Sequence, residues 1–285
     1  MPDIQPSAAA LAWAARIAGT NATVREVRAL AGGTHAGTHL IRMADPDFEL
    51  VMRRYADGDD AANREAHVLT ALDGLGGLAP RLLDADPSGE RFGEPAVLIS
   101  RLPGRADIMP ADSLPWAERL GRALARIHAA PLARMAGFRD VIDDIPRIAS
   151  RADGPVRERW ADLAVEPRVL THFDYWSGNV LWEDGELTGV VDWSGASLAP
   201  RGFDVGWCRL DLVLLYGAHV ADAFLLAYED AAGVRVPHRE LWDLFALQRS
   251  HGNVVDWVPN YRDLGRIDLT GQELSDRHGA WLVTM

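Results

Sequence analysis

The feature that most constrains this chain is a change of hydrophobic period about a third of the way along it. Up to residue 102 the apolar residues come in short runs punctuated by turn residues, the signature of strands. Ala22 to Ala31 and Thr38 to Met43 flank a Gly-rich turn, Asp45-Pro46-Asp47 makes another, and Phe48 to Arg54 reads as a third strand. Two more apolar runs, Pro80 to Leu83 and Ala96 to Leu102, end in Pro103-Gly104. One helix interrupts them, over Asp60 to Leu72, where Ala62, Ala66, Leu69 and Leu72 share a face. Beyond residue 110 the period becomes helical: Leu120, Leu124, Ile127 and His128 mark a helix over about 115–130, and long periodic segments run over Asp204–Leu215, His219–Ala232 and His238–Val258. The exception is Arg168 to Trp193, which reads as short strands around the hairpin turn Glu183-Asp184-Gly185-Glu186. The pattern predicts an α+β chain of two lobes. A small β-rich lobe spans 1–102, a larger α-rich lobe spans 103–285, and a hinge lies near Leu102 to Arg105.

Composition narrows the class. The net charge of −12 argues against nucleic acid or an anionic membrane surface as the main partner, and mildly favours a cationic ligand. No stretch is long and apolar enough to span a bilayer, and Ala8 to Ala18, which carries Arg16, reads as an ordinary helix. Cys208 is the single cysteine, so no internal disulfide framework exists, as suits a reducing compartment. A cytoplasmic protein is expected.

The chemistry is concentrated in Val169-Leu170-Thr171-His172-Phe173-Asp174-Tyr175-Trp176-Ser177-Gly178-Asn179. His172, Asp174 and Asn179 have the His-x-Asp-x-x-x-x-Asn spacing of a phosphoryl-transfer loop, and Asp192 follows at the end of the apolar strand Val190-Val191. A hairpin closed by Asp184-Gly185 would return Asp192 toward Asn179, giving two oxygen ligands for Mg²⁺. Asp174, ahead of the hairpin, would face an acceptor hydroxyl. Each residue alone would be an ordinary turn cap or strand end; their order and spacing together carry the signal.

This stretch resembles the catalytic core of the aminoglycoside phosphotransferase and choline kinase family, which shares the protein-kinase-like fold. The resemblance implies that Asp174 is the catalytic base, that Asn179 and Asp192 hold Mg²⁺, and that His172 and Asp204 support the loop. It implies ATP or GTP as co-substrate. Phe173 stands where many aminoglycoside enzymes have Gly.

The front lobe agrees. Gly32, Gly33, Thr34 and Gly37 lie between two strands and resemble the family's nucleotide-covering loop, where glycines let backbone amides approach phosphate. The strand ending Arg53-Arg54 stands where the family places a cation for the α- and β-phosphates. Arg53 fits by position, and Arg54 is the rival because a one-residue shift exchanges the faces. Glu65 on the following helix would pair with that cation, and the segment containing Ser100 and Leu102 resembles the lobe junction where the base would bond to backbone groups.

Only about ten residues separate Asp192 from the helix near Asp204, too few to dock a peptide, so a small hydroxyl-bearing acceptor is expected. An aminoglycoside or related antibiotic, a choline-like or amino-alcohol metabolite, and a non-catalytic nucleotide-binding scaffold remain open readings. Asp211 and Asp256 are candidate contacts to a cationic acceptor because they lie in the helical lobe.

Overall fold

A computed structural model describes residues 5–30, 36–144 and 153–283. The chain forms two compact units, Met1–Pro103 with Gly189–Ser194, and Gly104–Thr188 with Gly195–Met285.

In the first unit α1 (Ala8–Ala18) is capped by Ser7, whose hydroxyl accepts the Ala10 N–H at 3.2 Å. Five strands follow: β1 (Thr23–Ala29), β2 (Gly37–Ala44), β3 (Phe48–Arg54), β4 (Leu82–Asp86) and β5 (Ala96–Ser100). They form one antiparallel sheet in the order β1-β2-β3-β5-β4, with α2 (Ala61–Leu72) between β3 and β4 in sequence. Ala10, Trp13 and Ala14 of α1 form a buried cluster with Ile41, Met43, Leu50, Met52, Ala96 and Leu98. Alternate side chains of a strand face opposite ways. On β3, therefore, Arg54 shares the α1 face with Leu50 and Met52, and Arg53 points to the other. The segment 189–194 is tied in by the Val190 N–H, which donates to the Leu78 carbonyl at 2.7 Å.

The second unit is mainly helical. β6 (Arg105–Ala106) leads into α3 (Ser113–His128), and two short helices, α4 (Gly154–Glu158) and α5 (Trp160–Ala164), precede β7 (Arg168–Thr171). β8 (Val180–Glu183) and β9 (Glu186–Val190) make the expected hairpin, with β6 on its other edge. Then come β10 (Ser197–Pro200), α6 (Gly202–Tyr216), α7 (Ala218–Ala232), α8 (Arg239–Ser250), α9 (Val258–Asp263) and α10 (Gly271–Val283). α3 crosses α7 at Gly121, where a Cβ would lie 2.4 Å from the Phe224 carbonyl oxygen, so only glycine permits this approach. α6 is buried along almost its whole length between α7, α8 and α10.

Two details depart from the sequence pattern. The helix expected over His238–Val258 stops at Ser250, because Gly252 turns the chain with a left-handed φ of 87°. The segment after Asp192 contains strand β10, which pairs antiparallel with β7, Thr171 opposite Ser197. Among the described residues no helix is long and apolar enough to cross a membrane.

Candidate active site

The loop between β7 and β8 carries His172, Asp174 and Asn179, and α6 holds it from below. Residues 204, 207 and 211 stand at i, i+3 and i+7, so they share one face of that helix. Each rung of this stripe grips a successive part of the loop. Asp204, fully buried, accepts the backbone N–H groups of His172 at 2.6 Å and Phe173 at 3.0 Å. Trp207 donates its indole N–H to Asp174 Oδ1 at 2.9 Å. Asp211 accepts the Ser177 N–H at 3.0 Å and its hydroxyl at 2.5 Å on one oxygen, and the Tyr261 hydroxyl at 2.8 Å on the other.

Behind the first rung lies a hydrogen-bonded chain. His128 Nε2 sits 3.3 Å from Asp204 Oδ2, its Nδ1 is 2.7 Å from the Tyr228 hydroxyl, and Arg201 donates to that hydroxyl at 3.0 Å. The network assigns the proton of a neutral His128 to Nε2, since Tyr228 accepts from Arg201 and donates to Nδ1. Burial pushes the His128 pKa down, against the opposing pull of Asp204. The loop itself is strained at Phe173, which adopts a φ of 75°. That conformation is one that glycine takes freely and a bulky residue does not. The Phe173 ring is held by Phe203 at 5.3 Å and lies beneath two guanidinium groups, Arg249 at 4.7 Å and Arg139 at 5.3 Å. Asn179 donates its side-chain N–H to the Asp174 backbone carbonyl at 3.0 Å, which directs its amide oxygen the other way.

The first unit holds a charge triad of its own, in which Arg53 and Glu65 are buried and Asp192 is partly buried. Arg53 donates to Glu65 Oε1 at 2.5 Å and to Asp192 Oδ1 at 2.7 Å. Tyr55 donates its hydroxyl to the other Glu65 oxygen, and Ser194 donates to Asp192 Oδ1 at 3.0 Å. Asp192 takes a left-handed φ of 66°. Burial raises the Glu65 pKa to about 7, against the attraction of Arg53. Arg53 keeps its charge because Glu65 and Asp192 more than offset its desolvation. Arg54, on the opposite face, pairs with Glu94 at 2.8 Å. The structure thus brings Arg53, Glu65 and Asp192 together and leaves Arg54 out.

Other expected site residues fall as follows. Gly32, Gly33 and Thr34 lie outside the described residues, while Gly37 opens β2 opposite Arg54. The Ser100 N–H and hydroxyl are both engaged by Arg81, each at 2.9 Å, so that amide is committed within the unit. Leu102 packs against Gly189, where a Cβ would lie 2.5 Å from Leu102 Cδ1. Asp211, expected to touch a cationic acceptor, is only 3% exposed and has both oxygens taken, so it braces the loop instead. Burial raises its pKa, with Ser177 and Tyr261 opposing. Asp256 is exposed and precedes Trp257, whose ring meets Trp207 edge-on at 5.3 Å. Sequence reasoning did not assign Trp207, Tyr55 or the bracing role of Asp211. The signal for two of them was the spacing of Asp204, Trp207 and Asp211 on one helix face.

The model of the phosphotransferase enzyme family matches residues 26–242, and the chain belongs to that family. A homoserine kinase from Polaromonas naphthalenivorans is 27% identical over 188 residues, covering 55% of this chain and 56% of that protein. A hygromycin-B 4-O-kinase from Escherichia coli is 41% identical over 46 residues, covering 16% of this chain and 14% of that protein. The chain therefore spans about half, or less, of these curated relatives. Among solved structures, an aminoglycoside-3'-phosphotransferase of type VIII superposes with a TM-score of 0.61 at 22% identity, covering 84% of this chain and 97% of the other. That likeness establishes the shared protein-kinase-like fold.

Proposed function

We propose that the chain transfers the γ-phosphoryl group of ATP or GTP to a hydroxyl of a small molecule. The observation that carries this reading is the triad in which the buried Arg53 joins Glu65 and Asp192. In kinase-type phosphoryl transfer a strand cation paired to a helix Glu grips phosphate, and a nearby Asp holds metal. Arg53 is the phosphate-gripping cation here, since a guanidinium presents several N–H groups to oxygen. Asn179 and Asp192 offer the hard oxygen donors that suit Mg²⁺. Mg²⁺ bound through one or two such side chains usually takes its other ligands from substrate phosphates and water. Bound there, Mg²⁺ would neutralise charge on the phosphates. Asp174 accepts the proton of the acceptor hydroxyl, a new bond forms from that oxygen to Pγ, and the nucleoside diphosphate departs.

The acceptor has two readings. An aminoglycoside or related antibiotic is favoured by the acidic net charge and by the short hygromycin-kinase match. A carboxylate-bearing metabolite such as an amino acid is the second reading, because Arg139 and Arg249 both lie over Phe173, the neighbour of Asp174, and guanidinium groups suit a carboxylate. The homoserine kinase match also extends over more of the chain.

Hygromycin B, kanamycin, erythromycin, L-homoserine and choline, each supplied with MgATP or MgGTP, separate these readings. Turnover is read as nucleoside-diphosphate release together with a mass gain of one HPO₃ on the acceptor. Asp174→Asn should bind nucleotide normally yet lose about 10²- to 10⁴-fold in kcat. Full activity in that variant would remove Asp174 as the base. If a cation is steered to the site, kcat/KM should fall as salt rises.

A further inference from the structure

The middle rung of the α6 stripe has no role in the reaction described so far. Asp204 and Asp211 bind backbone and hydroxyl groups of the loop, whereas Trp207 alone reaches the Asp174 side chain. A contact from Asn179 Nδ2 to the other oxygen, Oδ2, is long at 3.4 Å. The outer torsion of an Asp side chain has a broad, shallow profile, so its plane is set by whichever donor holds it. Trp207 is itself well anchored. Arg249 lies over its ring at 4.2 Å, Trp257 meets it edge-on, and the flanking rungs at 204 and 211 fix its helix to the loop. The same guanidinium covers Phe173 at 4.7 Å and Phe203 at 5.0 Å, linking the indole to the residue that precedes Asp174. A ring serving only as packing would be buried with its polar edge satisfied inside. Trp207 is half-buried and gives that edge to a half-buried carboxylate.

We propose that Trp207 is a positioning residue for phosphoryl transfer, its indole N–H fixing the plane of the Asp174 carboxylate so that one oxygen is presented to the acceptor hydroxyl. This rests on the reading of Asp174 as the base. Arg249 contributes by holding the ring and, as a cation over its face, by strengthening the indole as a donor. The expected signature is a loss in kcat without a loss in binding, because misplacing a catalytic group by a fraction of an ångström slows chemistry while leaving nucleotide contacts untouched.

Two measurements test this. In ¹⁵N spectra the Trp207 indole N–H, assigned by its absence in Trp207→Phe, should be protected from solvent exchange and lose that protection in Asp174→Ala. MgATP turnover, read as ADP release in water alone and with hygromycin B or L-homoserine, should fall about tenfold or more in kcat for Trp207→Phe, with the nucleotide KM unchanged. Trp207→His should restore part of the loss, since imidazole Nε2 stands as far from Cγ as indole Nε1 does. An indole proton indifferent to Asp174→Ala, or a Trp207→Phe protein with parental kcat, overturns the proposal. The histidine variant also serves if Trp207→Phe fails to fold: wild-type kcat with no protected ring N–H would again overturn it. Failure of the kinase reading itself would appear in the unmutated chain, as no binding or consumption of MgATP.

Discussion

The two units hold the carboxylates of the proposed site by different physics. In the first, Glu65 and Asp192 are fastened to a buried guanidinium, so the arrangement is a charge balance that a bound polyanion and a metal would redistribute. In the second, Asp204 and Asp211 are fastened by amides and hydroxyls, and Asp174 by an indole N–H. Such donors fix a position without requiring any counter-ion to move. The contrast matches the tasks proposed for the two units, with mobile charge where phosphate must be received and a rigid cradle where a proton must be taken.

The sharpest way to break the comparison is to remove one carboxylate from each unit. Asp204→Ala would take the acceptor from the His172 and Phe173 amides and strip His128 Nε2 of its partner, leaving only the Tyr228 contact on Nδ1. At about 1–3 kcal/mol for each orphaned buried group, unfolding in urea should show a loss of about 3 kcal/mol or more. Glu65→Gln should cost clearly less, because burial already raises the Glu65 pKa to about 7 and a neutral side chain is a fair mimic of its protonated form. Equal losses would mean that the two carboxylates are held in the same way.

Arg53 and Arg54 test the charge side alone. Charge-assisted hydrogen bonds contribute about 1.5–3 kcal/mol, so Arg53→Ala should raise the nucleotide KM about 10- to 100-fold, and Lys at that position should restore part of it. Arg54→Ala should leave nucleotide KM nearly unchanged, since Arg54 pairs with Glu94 on the opposite face of β3. A larger effect at Arg54 would refute the assignment.

These cases also show what was legible in the sequence. The loop from His172 to Asn179 stood out because its residues sit close together in the chain and their spacing is the motif. The choice between Arg53 and Arg54 could not be read, because β3 is covered on both faces and both arginines are buried, which erases the polar alternation that would have marked the inner side. Trp207 and Asp174 are 33 residues apart, and their contact exists only once α6 lies beneath the loop. For the same reason Asp211 read as a ligand contact from its place in the helical lobe, whereas its helix face turns it into the protein. The end of α8 was missed because a single glycine, Gly252, overrides the apolar periodicity that continues past it.

The units should also differ in their response to pH, with opposite signs. The Glu65 pKa is raised in the fold, so its contribution to stability is complete below its unfolded value near 4.5 and is lost as pH rises through about 7. The His128 pKa is lowered, so its contribution is present above the unfolded value near 6.5 and is lost as pH falls below it. Between pH 5 and 7, hydrogen exchange should show β3 and α2 loosening as pH rises and α3 and the catalytic loop loosening as pH falls. Glu65→Gln should flatten the first trend and His128→Gln the second. A common slope in both units would show that these groups do not govern their surroundings.

The smallest expected effect concerns the strained residue of the cradle. Phe173 holds a φ of 75°, where a side chain costs about 1–2 kcal/mol relative to glycine. Its ring returns part of that through Phe203 and the two guanidinium groups above it, but it is only half-buried, so the return is less than the roughly 1.5–3 kcal/mol of a fully buried aromatic ring. Phe173→Gly relieves the strain, loses the ring and adds freedom to the unfolded chain, which leaves stability within about 1 kcal/mol of the parent. Phe173→Ala loses the same ring and keeps the strain, so it should be the less stable of the two by about 1 kcal/mol. Alanine normally outranks glycine, and the reversal is the diagnostic. Should alanine prove the more stable in thermal melts, the left-handed backbone at Phe173 is not what the loop adopts, and a rigid cradle around Asp174 would have to be held by Asp204, Trp207 and Asp211 alone.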